Sequence, residues 1–441
     1  MPKSISHSLS CISVCRTFAG LFAALGLMSL QAAEGPPPPE LPPPGQLVFR
    51  QPINIGWADE VTPSAPPGFI VERFADGLDH PRWLYVLPND DVLVAQSQTE
   101  TMGGFPDTIL AQLTKQGLLG KSPNNIILLR HTNTGTEKYV FIEGLNQPFG
   151  MALIDSSLFV ANTNGVVRFA YRNGQTRIDA QPEKILGIPA GEQSGHWNNH
   201  WTRNIVVSPD RRSLFLAVGS ATNINQNGDE HPERAAIWRL DPDGRNKKLF
   251  ATGLRNPVGM DFDPATGNLW TTVNERDGLG ELTPPDYLTR VVDGAFYGWP
   301  YVYFGTYPDP THLRLDPDAV RSAQSSARVP DLAVDAHSVP LGLLFYRGQQ
   351  FPASYRKGAF VARRGGVSRT RFVGLDVIFV SFNDGQARGY ESFLSGFVAD
   401  YDQGTVYGRP VGLAMLADGS LLVSDDSAGI IWRVSFTGID D

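Results

Sequence analysis

Six places in this chain put side chains suited to a polar ligand just ahead of an apolar run. They are Asp79-His80, Asn146-Gln147, Asn199-His200, Arg255-Asn256, His337, and Tyr407 with Arg409. Asn and Asp are ordinary turn residues, but turn chemistry does not demand arginines or histidines. Histidine supplies a base near neutral pH, and arginine supplies a fixed cation with a planar donor fork. Such a ring of donors suits a polar, anionic ligand. His80 also reads as a turn residue bonded to nearby backbone. His200 lies in Gly195-His196-Trp197-Asn198-Asn199-His200-Trp201, an aromatic and polar stretch without core periodicity. A second cluster, Asn274-Glu275-Arg276-Asp277-Gly278 with Glu281 and Asp286, is rich in oxygen donors and compatible with calcium. Its spacing fails the strict calcium loop, so a plain acidic turn is the alternative. Serine-hydrolase and phosphate-loop motifs are absent, as are histidine-rich zinc patterns.

The elements that must position these residues are repeats. A strand, a turn and a second strand recur as PRWLYVLPNDDVLVA from Pro81, PFGMALIDSSLFVA from Pro148 and PVGMDFDPATGNLWTTV from Pro257. Two more copies start at Pro340 and Pro410, and a proline-free copy starts at Thr202. The spacing is about 66 residues per unit, which suits a four-stranded propeller blade with its loops. Three copies share a lead-in, Gly77-Leu78-Asp79-His80-Pro81, Gly144-Leu145-Asn146-Gln147-Pro148 and Gly253-Leu254-Arg255-Asn256-Pro257. The last copy has only three strands before the chain ends, so residues 69–74 are expected to complete its sheet and close the ring. The fold expected is therefore all-β, a six-bladed β-propeller of four-stranded blades closed by an N-terminal strand. Insertions at 97–124, 186–199 and 303–335 are expected as loops over the faces of the ring. In a propeller the first strand of each blade lines the central channel, so the six polar positions converge at one mouth.

Composition agrees. The chain has 441 residues with 45 Gly and 34 Pro and is only 19% charged, which argues against helical bundles and coiled coils. A net charge of -8 is a poor basis for binding nucleic acid or anionic membrane. Residues 1–33 have the layout of a secretory signal, with an apolar run at 17–30 that is too short for a confident membrane span. Both cysteines, Cys11 and Cys15, fall inside it, so a cleaved chain has neither disulfide nor thiolate chemistry. An exported, periplasmic or secreted protein is expected, with no integral membrane segment after cleavage. Residues 34–46 read as a proline-rich spacer and 47–441 as one propeller domain.

Several motifs together resemble a known family. HWTRNIVVSPDRRSLFLAVGS from His200, GLRNPVGMDFDPATGNLWTTVNERDGLG from Gly253, DGAFYGWPYVYFG from Asp293, HSVPLGLLFY from His337 and GRPVGLAMLADGSLLVSDD from Gly408 are similar to the sorbosone dehydrogenases. These are relatives of the soluble glucose dehydrogenases that depend on pyrroloquinoline quinone (PQQ). The resemblance spans roughly residues 68–436. It implies PQQ over the channel mouth with calcium (Ca2+) against the quinone. By position it implies His200 as catalytic base with Asn199 beside it, and Arg255, Asn256 and Arg409 as cofactor contacts. It also implies backbone carbonyls at Arg276 and Asp277 on the calcium, and Asp286 and Tyr297 at a second, structural calcium. PQQ is a tricarboxylate, so Arg203 and Arg364 join the expected cofactor contacts, with Gln147 and His337 nearby. His200 would take the hydroxyl proton of a sugar hemiacetal or aldehyde hydrate as hydride passes to the quinone, and a soluble cytochrome or quinone would accept the electrons. Related sequences carry a His-Gly-Ser-Trp-Asn-Arg stretch in the fifth blade where this chain has Arg364-Gly365-Gly366-Val367-Ser368-Arg369. Two rivals remain. One is a calcium-dependent lactonase or esterase propeller, which lacks an arginine cage, and the other is a non-catalytic sugar-binding propeller with a closed pocket.

Overall fold

The computed structural model describes residues 39–103, 106–190 and 198–438. The expected signal at residues 1–33, both cysteines and His196 lie outside them. Among the described residues no helix is long and apolar enough to cross a membrane.

Among the described residues six four-stranded antiparallel sheets follow one another along the chain, and the fold is a β-propeller. Their first strands are Pro81–Val86, Met151–Ile154, Ile205–Val207, Pro257–Phe262, Pro340–Phe345 and Pro410–Met415. Each first strand touches the first strand of the next sheet, and the sixth touches the first. The last sheet takes its fourth strand, Phe69–Ala75, from ahead of all the others, pairing Phe69 with Phe436 and Arg73 with Trp432.

The repeated Pro-x-Gly explains how the first strands pack. A Cβ on Gly150 would stand 2.4 Å from the Ile205 nitrogen, on Gly259 2.6 Å from the Leu341 oxygen, on Gly342 2.5 Å from the Val411 oxygen, and on Gly412 2.5 Å from the Arg82 oxygen. In each case the atom met is backbone of a neighbouring sheet, so these glycines set how closely the strands gather around the axis. Gly412→Ala is expected to cost about 1–3 kcal/mol through overpacking, lowering the calorimetric midpoint by about 1–4 °C in a domain of this size. An unchanged midpoint would show that the strands can yield there.

The core sits between adjacent sheets. Phe159, Leu214, Leu216 and Trp238 fill the space between the second and third, and Trp270, Leu288, Phe345 and Ile378 that between the fourth and fifth. Two insertions expected as loops carry helices, Asp107–Lys115 in one and Pro310–Leu315 with Pro317–Ser326 in the other. The signal was present in the sequence at Asp309-Pro310 and Asp316-Pro317. Each aspartate caps the helix, accepting from N–H groups of its first turn, and each proline takes the first helical position.

The described part of the proline-rich stretch is not a free spacer. Pro39 and Pro42 carbonyls accept from Tyr307 and Thr283 hydroxyls, Leu41 packs on the core, and the Gly45 N–H donates to Leu279. The chain then crosses to the far side of the same mouth. Arg50 and Ile53 N–H groups donate to Val367 and Gly404, and the Trp57 indole donates to Asp425 at 2.8 Å. A segment without helix or sheet ladder of its own must find backbone partners on its neighbours, and this one does so at both ends.

Candidate functional site

A cavity of about 270 Å³ opens at the end of the ring where first strands begin and second strands finish. His200, Arg255, Asn256, His337 and Arg409 reach it from ahead of first strands, and Asn274, Glu275, Asp277 and Arg364 from beyond second strands. Asp286 joins them from ahead of a third strand.

The His200 Nδ1 lies 2.7 Å from the Ser220 carbonyl oxygen and 2.9 Å from its hydroxyl, which itself donates to the Thr222 carbonyl. Both neighbours therefore accept, so Nδ1 carries the proton and Nε2 keeps its lone pair. Burial, then the charges of Arg255 and Arg234, push the His200 pKa well below its ordinary value of 6.5. The ring is neutral at neutral pH, as a general base must be. If turnover needs this neutral ring, kcat/KM stays level as pH falls through 6.5 and drops only well below it. An acid limb centred at 6.5 or above in a pH–rate profile would assign the base elsewhere.

The opposite wall holds an excess of positive charge. Arg82 and Arg364 both pair with buried Asp426, Arg364 at 2.7 Å, while Arg409 donates to the Arg364 and Gly365 carbonyls. Burial alone would raise Asp426, but the Arg364, Arg82 and Arg409 charges outweigh it and hold it at about 2. Burial and the neighbouring Arg364 push Arg409 well below the ordinary arginine value. Asp425 is turned to the Arg409 backbone N–H and the Trp57 indole. Of these groups Arg364 and Arg409 line the cavity, and with Arg82 beside Asp426 they leave this wall ready for an anion.

Arg255 is largely engaged by the protein, donating to the Asn223, Asn274 and Glu275 carbonyls and to Asn223 Oδ1. His337 has Asp277 Oδ1 at 3.1 Å from Nδ1 and the Gly280 carbonyl at 2.8 Å from Nε2. Burial opposes its charging, but the Asp277 hydrogen bond and charge prevail and raise its pKa. With both nitrogens donating to protein, His337 positions the Asp277 loop. Burial lifts Glu275 to about 7 and Asp286 to about 6. Asn256 Oδ1 and Asn274 Oδ1 are buried without a hydrogen-bond partner, two acceptors left for a ligand.

Other expected residues lie around this cavity without lining it. Arg203 is fully buried and donates to the His200 and Thr202 carbonyls, fixing the histidine from behind. Asn199 holds Gly103 through hydrogen bonds in both directions, and Gln147 donates to the Gln98 carbonyl. His80 and Gln147 have φ of 49° and 44°, so their recurrence before the strands meets a turn requirement. Tyr407 stacks on Trp57. The Tyr297 hydroxyl is engaged by the Arg290 carbonyl, at the far end of the strand Tyr287–Arg290 from Asp286, so the structure does not bring Asp286 and Tyr297 together. The carbonyl of Asp277 accepts from both Arg276 Nε and Asn223 Nδ2, and the Arg276 guanidinium pairs with Asp309. Both lone pairs of that carbonyl are thus occupied, and this arrangement does not fit a calcium there. Among the described residues no three His, Cys, Asp or Glu side chains gather as a metal site. The fifth-sheet departure does not close the pocket, because Arg364, Gly365, Gly366 and Val367 line it.

Sequence reasoning missed Arg82, Asp426 and Arg234. Arg82 had a readable signal, since the residue after the repeated proline is Phe149, Val258, Leu341 and Val411 elsewhere. A charge at an axial apolar position, here lying over the Trp201 ring, needs a reason. Arg234 donates to the His200 and Ser220 carbonyls from just ahead of a third strand, Ala236–Leu240, which no repeat position marks.

The sequence family described as Glucose / Sorbosone dehydrogenase matches residues 161–376, which contain His200, Arg255, His337 and Arg364. Those residues carry the domain of that family. A second family, described as TrAA12-like, matches residues 316–437 and includes Arg409 and Asp426. An uncharacterized protein of Borreliella burgdorferi is 27% identical over 310 residues, covering 68% of this chain and 79% of that one. Among solved structures, the holo form of the pyranose dehydrogenase PQQ domain from Coprinopsis cinerea is 19% identical with a TM-score of 0.66, covering 86% of this chain and 98% of the other. The calcium structure of carbohydrate-active enzyme family AA12 from Trichoderma reesei is 19% identical with a TM-score of 0.66, covering 85% and 97%. At such identities these two likenesses speak for the propeller fold of this glucose/sorbosone dehydrogenase relative.

Proposed function

We propose that this family member is an exported dehydrogenase that oxidises a sugar or sugar aldehyde with PQQ as its acceptor. The observation that carries this reading is the pairing, across one cavity, of a neutral histidine with an unengaged Nε2 and two guanidiniums, Arg364 and Arg409, which have Arg82 and Asp426 beside them.

The donor set fits a polycarboxylate quinone. Arg364 and Arg409 would hold its carboxylates, and Asn256 would offer its amide. When bound, PQQ supplies a two-electron acceptor for the hydride of the substrate C–H bond. The chain's own residues do the rest. His200 Nε2 takes the proton from the hydroxyl of a hemiacetal or aldehyde hydrate as that C–H bond breaks, yielding a lactone or an acid. Ser220 keeps the ring oriented and in the right tautomer, with Arg203 and Arg234 fixing the backbone behind it. His337 and Arg255 hold the Asp277 loop against the cavity. Calcium accompanies the fold in the Trichoderma relative, but the occupied carbonyl of Asp277 leaves no step to route through it here. A soluble cytochrome or quinone would carry the electrons away.

The test is reconstitution of purified apoprotein with PQQ, with and without calcium, followed by dye reduction with a panel of aldoses and sugar aldehydes. Saturable quinone binding with turnover is expected. No quinone binding would sink this reading. Binding without turnover would favour a sugar-binding propeller, while ester or lactone hydrolysis without PQQ would favour the hydrolase.

A further inference from the structure

The N-terminal segment that crosses the cavity mouth contributes side chains to the site. In extended chain, alternate residues face the same way. Arg50 points away from the cavity and is tied by its guanidinium to the carbonyls of Thr370, Tyr401 and Asp402 at 2.6, 2.6 and 2.7 Å. Its two neighbours, Phe49 and Gln51, both line the cavity. The Gln51 amide is buried, and neither its oxygen nor its nitrogen has a hydrogen-bond partner. Phe49 leaves 45% of its surface exposed at the same mouth.

An unpaired buried amide costs stability unless a ligand completes it. Because an amide both donates and accepts, a carboxylate would leave its oxygen unanswered, whereas adjacent hydroxyls satisfy both atoms. An aromatic face beside such a polar group offers an apolar surface to the C–H side of a ring. Arg364 and Arg409 meet the opposite requirement, so one cavity offers both anion-binding and hydroxyl-binding groups.

We propose that Gln51 and Phe49 form the recognition edge for a neutral sugar ring, with Gln51 hydrogen-bonding its hydroxyls and Phe49 covering its apolar face. The inference deepens the dehydrogenase reading by assigning substrate recognition to a segment outside the six sheets. Gln51 and Phe49 are specificity residues here, and proton removal stays with His200.

The experiment uses full-length protein with Gln51→Met and Phe49→Ala. Both leave the anchoring Arg50 in place, and amide exchange at Ile53 checks that the segment stays docked. Three readouts are taken, namely PQQ titration, KM and kcat for D-glucose, D-galactose and D-xylose, and amide exchange of residues 47–52 with and without D-glucose. The expected result is a KM raised about tenfold in Gln51→Met, the size of one lost hydrogen bond, with the PQQ midpoint within about twofold of wild type. D-glucose should slow exchange at 47–52 in wild type and do so less in both variants. A weakened PQQ midpoint with unchanged KM would overturn the inference by giving Gln51 to the cofactor. If wild type binds no PQQ, the dehydrogenase reading fails, yet protection of 47–52 by D-glucose still supports this assignment. Absence of both protection and any KM change overturns it.

Discussion

His200→Gln is expected to bind PQQ as wild type does and to lose about 10²- to 10⁴-fold in kcat, the range over which a positioned base contributes. Glutamine preserves a donor toward the Ser220 carbonyl but offers no basic nitrogen to the cavity. The cofactor wall at Arg364 and Arg409 is formed from different sheets, so binding and turnover separate cleanly. Stopped-flow reduction of the bound quinone by an aldose reads the step directly. A variant that reduces the quinone at the wild-type rate would remove His200 as base. The same protein should lose the acid limb of the pH–rate profile, because neutral His200 is the form that works and its protonation well below pH 6.5 is what ends turnover.

Arg409→Met is expected to weaken PQQ binding by about a hundredfold, the loss of one hydrogen-bonded charge pair with a carboxylate. The apoprotein should nonetheless remain folded and close to wild type in thermal midpoint. Arg409 is desolvated and sits beside Arg364 and Arg82, so its charge is held at a cost in the empty site. Methionine keeps much of the volume and removes the repulsion. Quinone titration and calorimetry on the same preparation test both halves. Undiminished affinity would place the anion-binding wall elsewhere, and a collapsed midpoint would make Arg409 a structural residue bonded to the Arg364 and Gly365 carbonyls.

The cofactor wall shows how far spacing alone could reach. Arg409 was readable because the repeat brings it to the mouth of the ring, and Arg364 only as a cation that a tricarboxylate cofactor would need; both line the cavity. Arg203 satisfied the same reasoning by type but turns to the His200 carbonyl, which composition could not reveal. His80 and Gln147 satisfied it by position and carry left-handed backbone, so turn geometry explains them. Asp426, which organises the arginines, was quoted only as part of a motif, since a lone carboxylate acquires meaning from the charges folded around it.

The residues around the calcium expectation make the same point from the other side. Asp277 carries carbonyl and carboxylate in a loop of the right composition. Only the fold shows that Arg276 and Asn223 already donate to that carbonyl and that His337 and Ser368 reach the carboxylate.

By itself, the sequence determined the repeating sheets, the glycines that let first strands approach, and the family motifs, because each follows from local periodicity or from a backbone contact repeated around one axis. Tertiary structure alone decided which polar groups are left unpaired in the cavity and brought Gln51 and Phe49 to its mouth. Pairing and burial depend on atoms contributed by segments hundreds of residues apart, and no spacing along the chain encodes them.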